Sequence, residues 1–165
     1  MRVESVGWAL DRIEEVLAEA ERSARPMRDH PEGIKGARAA ALAVFLARTG
    51  AGKEAIREKI AGRFGYDLRR SVDAVWPSYR FDETCQRTVP EVLIAFFDST
   101  GFEHAVRFPV SLGGDSDTLA CVTGGAAESS HGSVTTAIAG ETRRRLAPDI
   151  VGILDRFTTR FGRRK

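Results

Sequence analysis

Cysteine, histidine and methionine are scarce here, at two, three and two residues in a chain of 165. Two cysteines, Cys85 and Cys121, cannot build a disulfide framework, and a reducing, cytoplasmic setting is the simpler reading. Long apolar runs are missing. The most apolar stretch, Ala39–Ala47, is far shorter than the roughly 20 residues a membrane span needs. No signal-peptide pattern is visible, because the N-terminus passes straight into a charged helical pattern. No excess of one charge sign exists either. The 25 basic and 23 acidic residues leave a net +2, so strong nonspecific binding to nucleic acid is not implied. Arg143–Arg145, Arg156, Arg160 and Arg163–Lys165 make the C-terminal end locally basic. No aromatic interleaving or groove-reading motif accompanies them, so they read as a solvated helix face and a tail. Strand alternation, internal repeats and heptads are all absent.

What is present is globular and helical. Hydrophobic residues make up 42%, too many for disorder at this low net charge. The length fits one domain, over residues 1–165, that buries about 68–70% of its unfolded surface. Ser5 is placed to cap a first helix in which Leu10, Ile13, Leu17 and Ala20 recur at helical spacing, ending near Ala24–Pro26. A second helix, Ile34–Thr49, is apolar nearly all round and therefore central. A third carries Ile56, Ile60 and Phe64 and stops at Gly65, a natural C-cap. Residues 66–87 read as a long aromatic-bearing connection with Tyr66, Trp76, Tyr79 and Phe81.

Thr88 with Glu91, and Thr100 with Glu103, have capping-box spacing, and Pro90 suits a first helical turn. Pro109 is expected to bend or end the helix that follows. A further apolar helix begins at Leu119. Its Gly124 and Gly125 each weaken it by roughly 1 kcal/mol relative to alanine, so close helix packing is expected there. The last helix starts near Pro148 with Ile150, Leu154 and Phe157 on one stripe. The architecture is all-α, of about seven helices.

One segment carries chemistry. Gly113–Gly114–Asp115–Ser116–Asp117–Thr118 places two carboxylates and a hydroxyl within four residues just before a helix. Asp115 and Asp117 can turn toward one ion, with Thr118 as a third oxygen. Hard cations such as Mg²⁺ prefer such ligands. Without a histidine or cysteine nearby in sequence, zinc fits less well. The competing reading is that an aspartate only caps the helix. A haloacid-dehalogenase-type nucleophile is excluded, because Leu119 stands where that motif has Thr or Val and no strand precedes it.

The surrounding segments change the balance. His30–Gly50 (HPEGIKGARAAALAVFLARTG), Phe64–Leu68 (FGYDL), Tyr79–Phe108 (YRFDETCQRTVPEVLIAFFDSTGFEHAVRF) and Ser111–Ser129 (SLGGDSDTLACVTGGAAES) resemble the ADP-ribosylglycohydrolase family. The group includes the dinitrogenase-reductase-activating glycohydrolase. The resemblance runs from about Val6 to Phe157. It implies a compact all-α fold, hydrolysis of the bond between ADP-ribose and a protein side chain or a related conjugate, and a pair of Mg²⁺ ions beside the distal ribose. By that similarity Asp115, Asp117 and Thr118 are metal ligands, and Arg28, His30 and Gly114 lie at the ADP-ribose.

The chain departs from the family pattern in several places. Family members carry an N-terminal segment with a Thr-Asp-Asp-Thr motif, an acidic residue and a glycine-rich loop. This sequence is expected to start after that segment. The remaining ligands are then absent, the catalytic residue is unknown and activity is weak or lost. Glu4, Glu14 and Glu15 read as a solvated helix face rather than as replacement ligands. Met27–Pro31 stands where the family has T-H-x-H-P, with Arg28 at the first histidine. Ser130 and His131 stand where it often has two tyrosines. His104 is assigned no role, and Cys85 and Cys121 are expected to be buried packing. The resulting expectation is a Mg²⁺-dependent hydrolase by family, impaired as this chain. The alternative is a non-catalytic ADP-ribose-binding or partner-docking protein, with a homo-oligomer or a partner covering an exposed apolar face. No membrane or nucleic-acid partner is expected.

Overall fold

A computed structural model describes residues 3–27, 29–79, 84–113, 115–132 and 134–162. Ten α-helices and one 3-10 turn are described, and no strand occurs among these residues. The helices are α1 Glu4–Ala9, α2 Ile13–Ala24, α3 Pro31–Arg48, α4 Lys53–Phe64, α5 Val72–Val75, α6 Cys85–Asp98, α7 Phe102–Leu112, α8 Ser116–His131, α9 Thr136–Arg145 and α10 Pro148–Phe161. They fall into two units, Met1–Gly132 and Ser133–Lys165. None of the described helices is long and apolar enough to cross a membrane.

In the first unit α3 is the axis. Its run from Ala39 to Ala47 is buried throughout, and α1, α2, α4, α6 and α8 all pack on it. Alanine makes this arrangement possible, because its short side chain lets several neighbouring helices approach one backbone. At Gly7 the approach of α1 is closest: a Cβ there would lie 2.6 Å from the Ala41 carbonyl oxygen. Helix α6 adds Leu93, Ile94 and Phe96 to the same core. Gly65 closes α4 in the left-handed conformation, φ +68°, as its position in the sequence predicts.

The N-terminal helix expected as one piece is two. Leu10 is extended (φ −113°, ψ 150°) and Arg12 likewise. Arg48 of α3 holds the break open. Its guanidinium donates to the carbonyl oxygens of Gly7 (3.1 Å) and Leu10 (2.6 Å) and to the Asp11 carboxylate (3.1 Å). A cation there satisfies the orphan carbonyls of a helix C-terminus. Ser5 consequently lies inside α1 and is not its cap.

Three further expectations shift locally. Residues 66–87 contain α5 and a 3-10 turn at Trp76–Ser78. They are tied down by the Val72 N–H donating to the Asp98 carboxylate at 2.8 Å. Phe81 lies outside the described residues. Helix α6 starts three residues before Thr88, so Glu91 is not a capping-box partner there and instead accepts from Arg70 (3.0 Å). At α7 the N-cap is Gly101. Glu103 pairs with Arg107, and the Thr100 N–H donates to His104 Nδ1 (3.3 Å), which gives His104 a structural role. Pro109 neither ends nor breaks α7, which continues to Leu112.

The second unit is α9 and α10. Neither helix buries a residue. An ion pair from Arg143 to Asp155 (2.5 Å) links the two.

Candidate functional site

The turn between α7 and α8 builds the site. Gly113 has φ +75° and ψ −159°, a region open essentially to glycine alone. Gly114 lies outside the described residues, as does Arg28. Asp115 then takes the N-cap position of α8, yet its side chain makes no capping hydrogen bond. An aspartate in that position ordinarily caps; here the carboxyl turns to Asp117 instead. Asp117 is held below the usual carboxylate range, first by the hydrogen bond from Asp115 and then by the Thr118 N–H, which donates to Asp117 Oδ1 at 2.8 Å.

Asp115 and Asp117 thus share a hydrogen bond at the N-terminal end of a 16-residue helix, where the helix dipole favours negative charge. The donors nearest one another are all oxygen, which is the chemistry of a hard cation. Among the described residues no group of three or more His, Cys, Asp or Glu is arranged to hold a metal.

Along the middle and C-terminal half of α8 lies a groove of about 410 Å³, lined by Gly124, Gly125 and Glu128 of α8, Phe102 and Val106 of α7, and Glu4. The expected close packing at the glycines is present at Gly125, where a Cβ would lie 2.9 Å from Glu4 Cγ. Gly124 makes only ordinary contact with Val106. Cys121 also lines the groove. Contrary to expectation it is exposed, and Cys85 is half-buried. The Cys121 thiol is pushed up, mainly by burial of the sulfur and further by the charges of Glu4 and Asp117.

Glu4 is the residue that sequence reasoning misplaced. Glu14 and Glu15 are indeed exposed. Glu4, however, has both carboxylate oxygens shielded from solvent, and burial pushes its pKa up against the pull of the N-terminal amine. The signal was the glycine pair in α8: a helix that gives up two side chains in succession does so for a neighbour, and Glu4 is that neighbour at Gly125. His30 is the N-cap of α3, where Nδ1 accepts from the Glu32 N–H (3.2 Å). The structure thus brings Asp115, Asp117 and Thr118 together, and gives His30 a helix-capping contact.

This all-helical arrangement agrees with the chain's relationships. A model of the ADP-ribosylglycohydrolase family matches residues 1–164. The chain belongs to that family. Its functional class is accordingly ADP-ribosylglycohydrolase-like, and ADP-ribosylated molecules are the substrate class that membership implies. No curated protein matches the chain.

Proposed function

We propose that the N-terminus of α8 holds Mg²⁺ through Asp115, Asp117 and Thr118, as part of a site for ADP-ribose conjugates. The observation that carries this reading is Asp115: it occupies the capping position, does not cap, and faces Asp117. Mg²⁺ held by these residues would supply positive charge toward the ribose hydroxyls and would lower the pKa of a nearby water. The remaining roles belong to the chain. Arg28 pairs with a phosphate through its forked guanidinium. Gly114 lets the backbone approach the ligand closely. His30 offers an Nε2–H, because its Nδ1 already accepts the Glu32 N–H.

Catalysis by this chain alone is slow or absent. A Mg²⁺ ion takes about six oxygens in near-octahedral geometry. Three side chains leave most positions of two such ions to water, so the site holds the cations weakly and places the reacting water poorly. A second reading has its own support. The apolar face of α10 is exposed, with Ile150, Ile153 and Leu154 at 41%, 51% and 39%. Such a face belongs to a binding or docking protein, with a homo-oligomer or another partner covering it in a reducing cytoplasmic setting.

A release assay tests the first reading. The chain is incubated with an ADP-ribosylated protein, with and without Mg²⁺, and free ADP-ribose is measured. Little or no release is expected, together with a Mg²⁺-dependent rise in melting temperature that Asp117→Ala abolishes. Rapid Mg²⁺-dependent release would overturn the impaired-enzyme reading. A melting temperature indifferent to Mg²⁺ would overturn the metal site.

A further inference from the structure

A second cavity, of about 380 Å³, lies in the first unit between α4 and the stretch 66–69 that follows it. Glu54, Arg57 and Glu58 line it from α4, and Tyr66, Asp67 and Leu68 line it from the other side. Its charges are arranged by depth. The Arg57 side chain is only 22% exposed, against 69% for Glu54. Its guanidinium stands over the Phe97 ring, 4.9 Å from the centre. The ion pairs it makes with Glu54 (3.6 Å) and Asp98 (3.9 Å) are longer than hydrogen bonds, and its buried Nε has no acceptor. Donors so far from water are ordinarily matched. Arg57 therefore calls for an acceptor, and a carboxylate is the group whose shape fits a guanidinium fork.

The exposed residues around Arg57 decide what else such a ligand carries. Glu54, Glu58 and Asp67 are all exposed, with Arg69 the one exposed cation among the lining residues. Asp67 is engaged by Arg70 (3.4 Å), whereas Glu58 makes no ion pair among the described residues. A plain anion such as phosphate meets these carboxylates before it meets Arg57 and is repelled. A ligand with a cation beside its carboxylate is attracted by both. Tyr66 and Leu68 are buried and give the cavity apolar surface. The main chain of residues 66–68 makes no hydrogen bond among the described residues, so this side offers further polar groups.

We propose that this cavity binds a free α-amino acid with an aliphatic side chain. The carboxylate pairs with Arg57, the ammonium with Glu58, and the aliphatic group packs against Tyr66 and Leu68. The volume lies at the small end of ligand cavities, which run from about 300 to 1,000 Å³, and so matches a ligand of few atoms. None of these residues belongs to the start of α8, and the proposal stands independently of the metal and ADP-ribose reading.

Calorimetric titration of the full chain with L-leucine is the test. Two relatives that each lack one charge are titrated beside it: 4-methylpentanoate, without the ammonium, and 3-methylbutylamine, without the carboxylate. Inorganic phosphate is the fourth titrant. Leucine is expected to bind with a dissociation constant of about 1 mM, weak because so small a ligand makes few contacts. The other three should bind at least tenfold more weakly. Glu58→Lys should weaken leucine tenfold or more and strengthen 4-methylpentanoate. The position is exposed, and circular dichroism checks the fold. Arg57→Lys keeps a cation but loses the fork, and should also weaken leucine. Absence of saturable binding by leucine overturns the proposal. So does 4-methylpentanoate or phosphate binding as tightly as leucine, which defines a simple anion site. An unchanged leucine affinity in folded Glu58→Lys overturns it equally.

Discussion

A Cβ on Gly7 would stand 2.6 Å from the carbonyl oxygen of Ala41 and 2.8 Å from Val44 Cβ. The α1–α3 crossing therefore depends on glycine at this point. Backbone cannot yield as a side chain can. Gly7→Ala should cost about 1–3 kcal/mol through overpacking, lowering the melting temperature by roughly 2–4 °C per kcal/mol. Gly125→Ala should cost less. Its obstacle is Glu4 Cγ at 2.9 Å, part of a flexible side chain. Thermal melts of the two variants check the order, and equal losses would contradict it.

Arg48 fixes where α1 ends. Arg48→Met keeps the apolar stem but leaves the carbonyls of Gly7 and Leu10 without their donor. The expected loss is about 1.5–3 kcal/mol, the range for a hydrogen bond to a charged group. Urea unfolding measures it, and a change below about 0.5 kcal/mol would mean that solvent replaces the guanidinium.

Gly113 turns the chain into the site with a positive φ. Gly113→Ala should destabilise by about 1–3 kcal/mol, the cost of holding a non-glycine residue in a sparsely populated region. Gly52→Ala is the control. Gly52 has φ −67° and open space around its Cβ position, so its substitution should stay within about 0.5 kcal/mol.

Glu91 gives stability a pH dependence of definite sign. Burial pushes its carboxyl up, against the opposing pull of Arg70. The folded chain therefore keeps this proton at pH values where the unfolded chain, with an ordinary glutamate near 4.3, has released it. Stability from this group is complete below the unfolded value and is lost as pH rises through the folded one. Glu91→Gln removes the titration. Unfolding from pH 4 to 7 should show the variant gaining on the parent as pH rises, whereas a constant difference would contradict the assignment.

How far the sequence disclosed all this varies with what holds each part. The helical class, the central place of α3 and the stop at Gly65 were legible, because burial period and glycine capping act within a few residues. The break after α1 was not. It depends on Arg48, 38 residues beyond Leu10, and no local pattern records that partner. The two capping-box signals failed for a similar reason: Glu91 is drawn away by Arg70, and His104 takes the place meant for Glu103. In the site, Asp115–Thr118 was visible as a motif, and Asp117 takes hydrogen bonds from Asp115 and the Thr118 N–H. Glu4 was read as solvated since charged residues usually are, and only the α1–α8 contact at Gly125 places it in the groove.

The most direct test of the account is calorimetric titration of ADP-ribose into the full chain with Mg²⁺ saturating, repeated with the cation chelated and with Asp115→Ala. The expected result is measurable binding that disappears on chelation and in the variant, because Asp115 and Asp117 together hold the cation that orients the ribose. Binding that persists in Asp115→Ala, or no binding under any condition, would contradict the claim that the start of α8 is a metal-assisted ADP-ribose site.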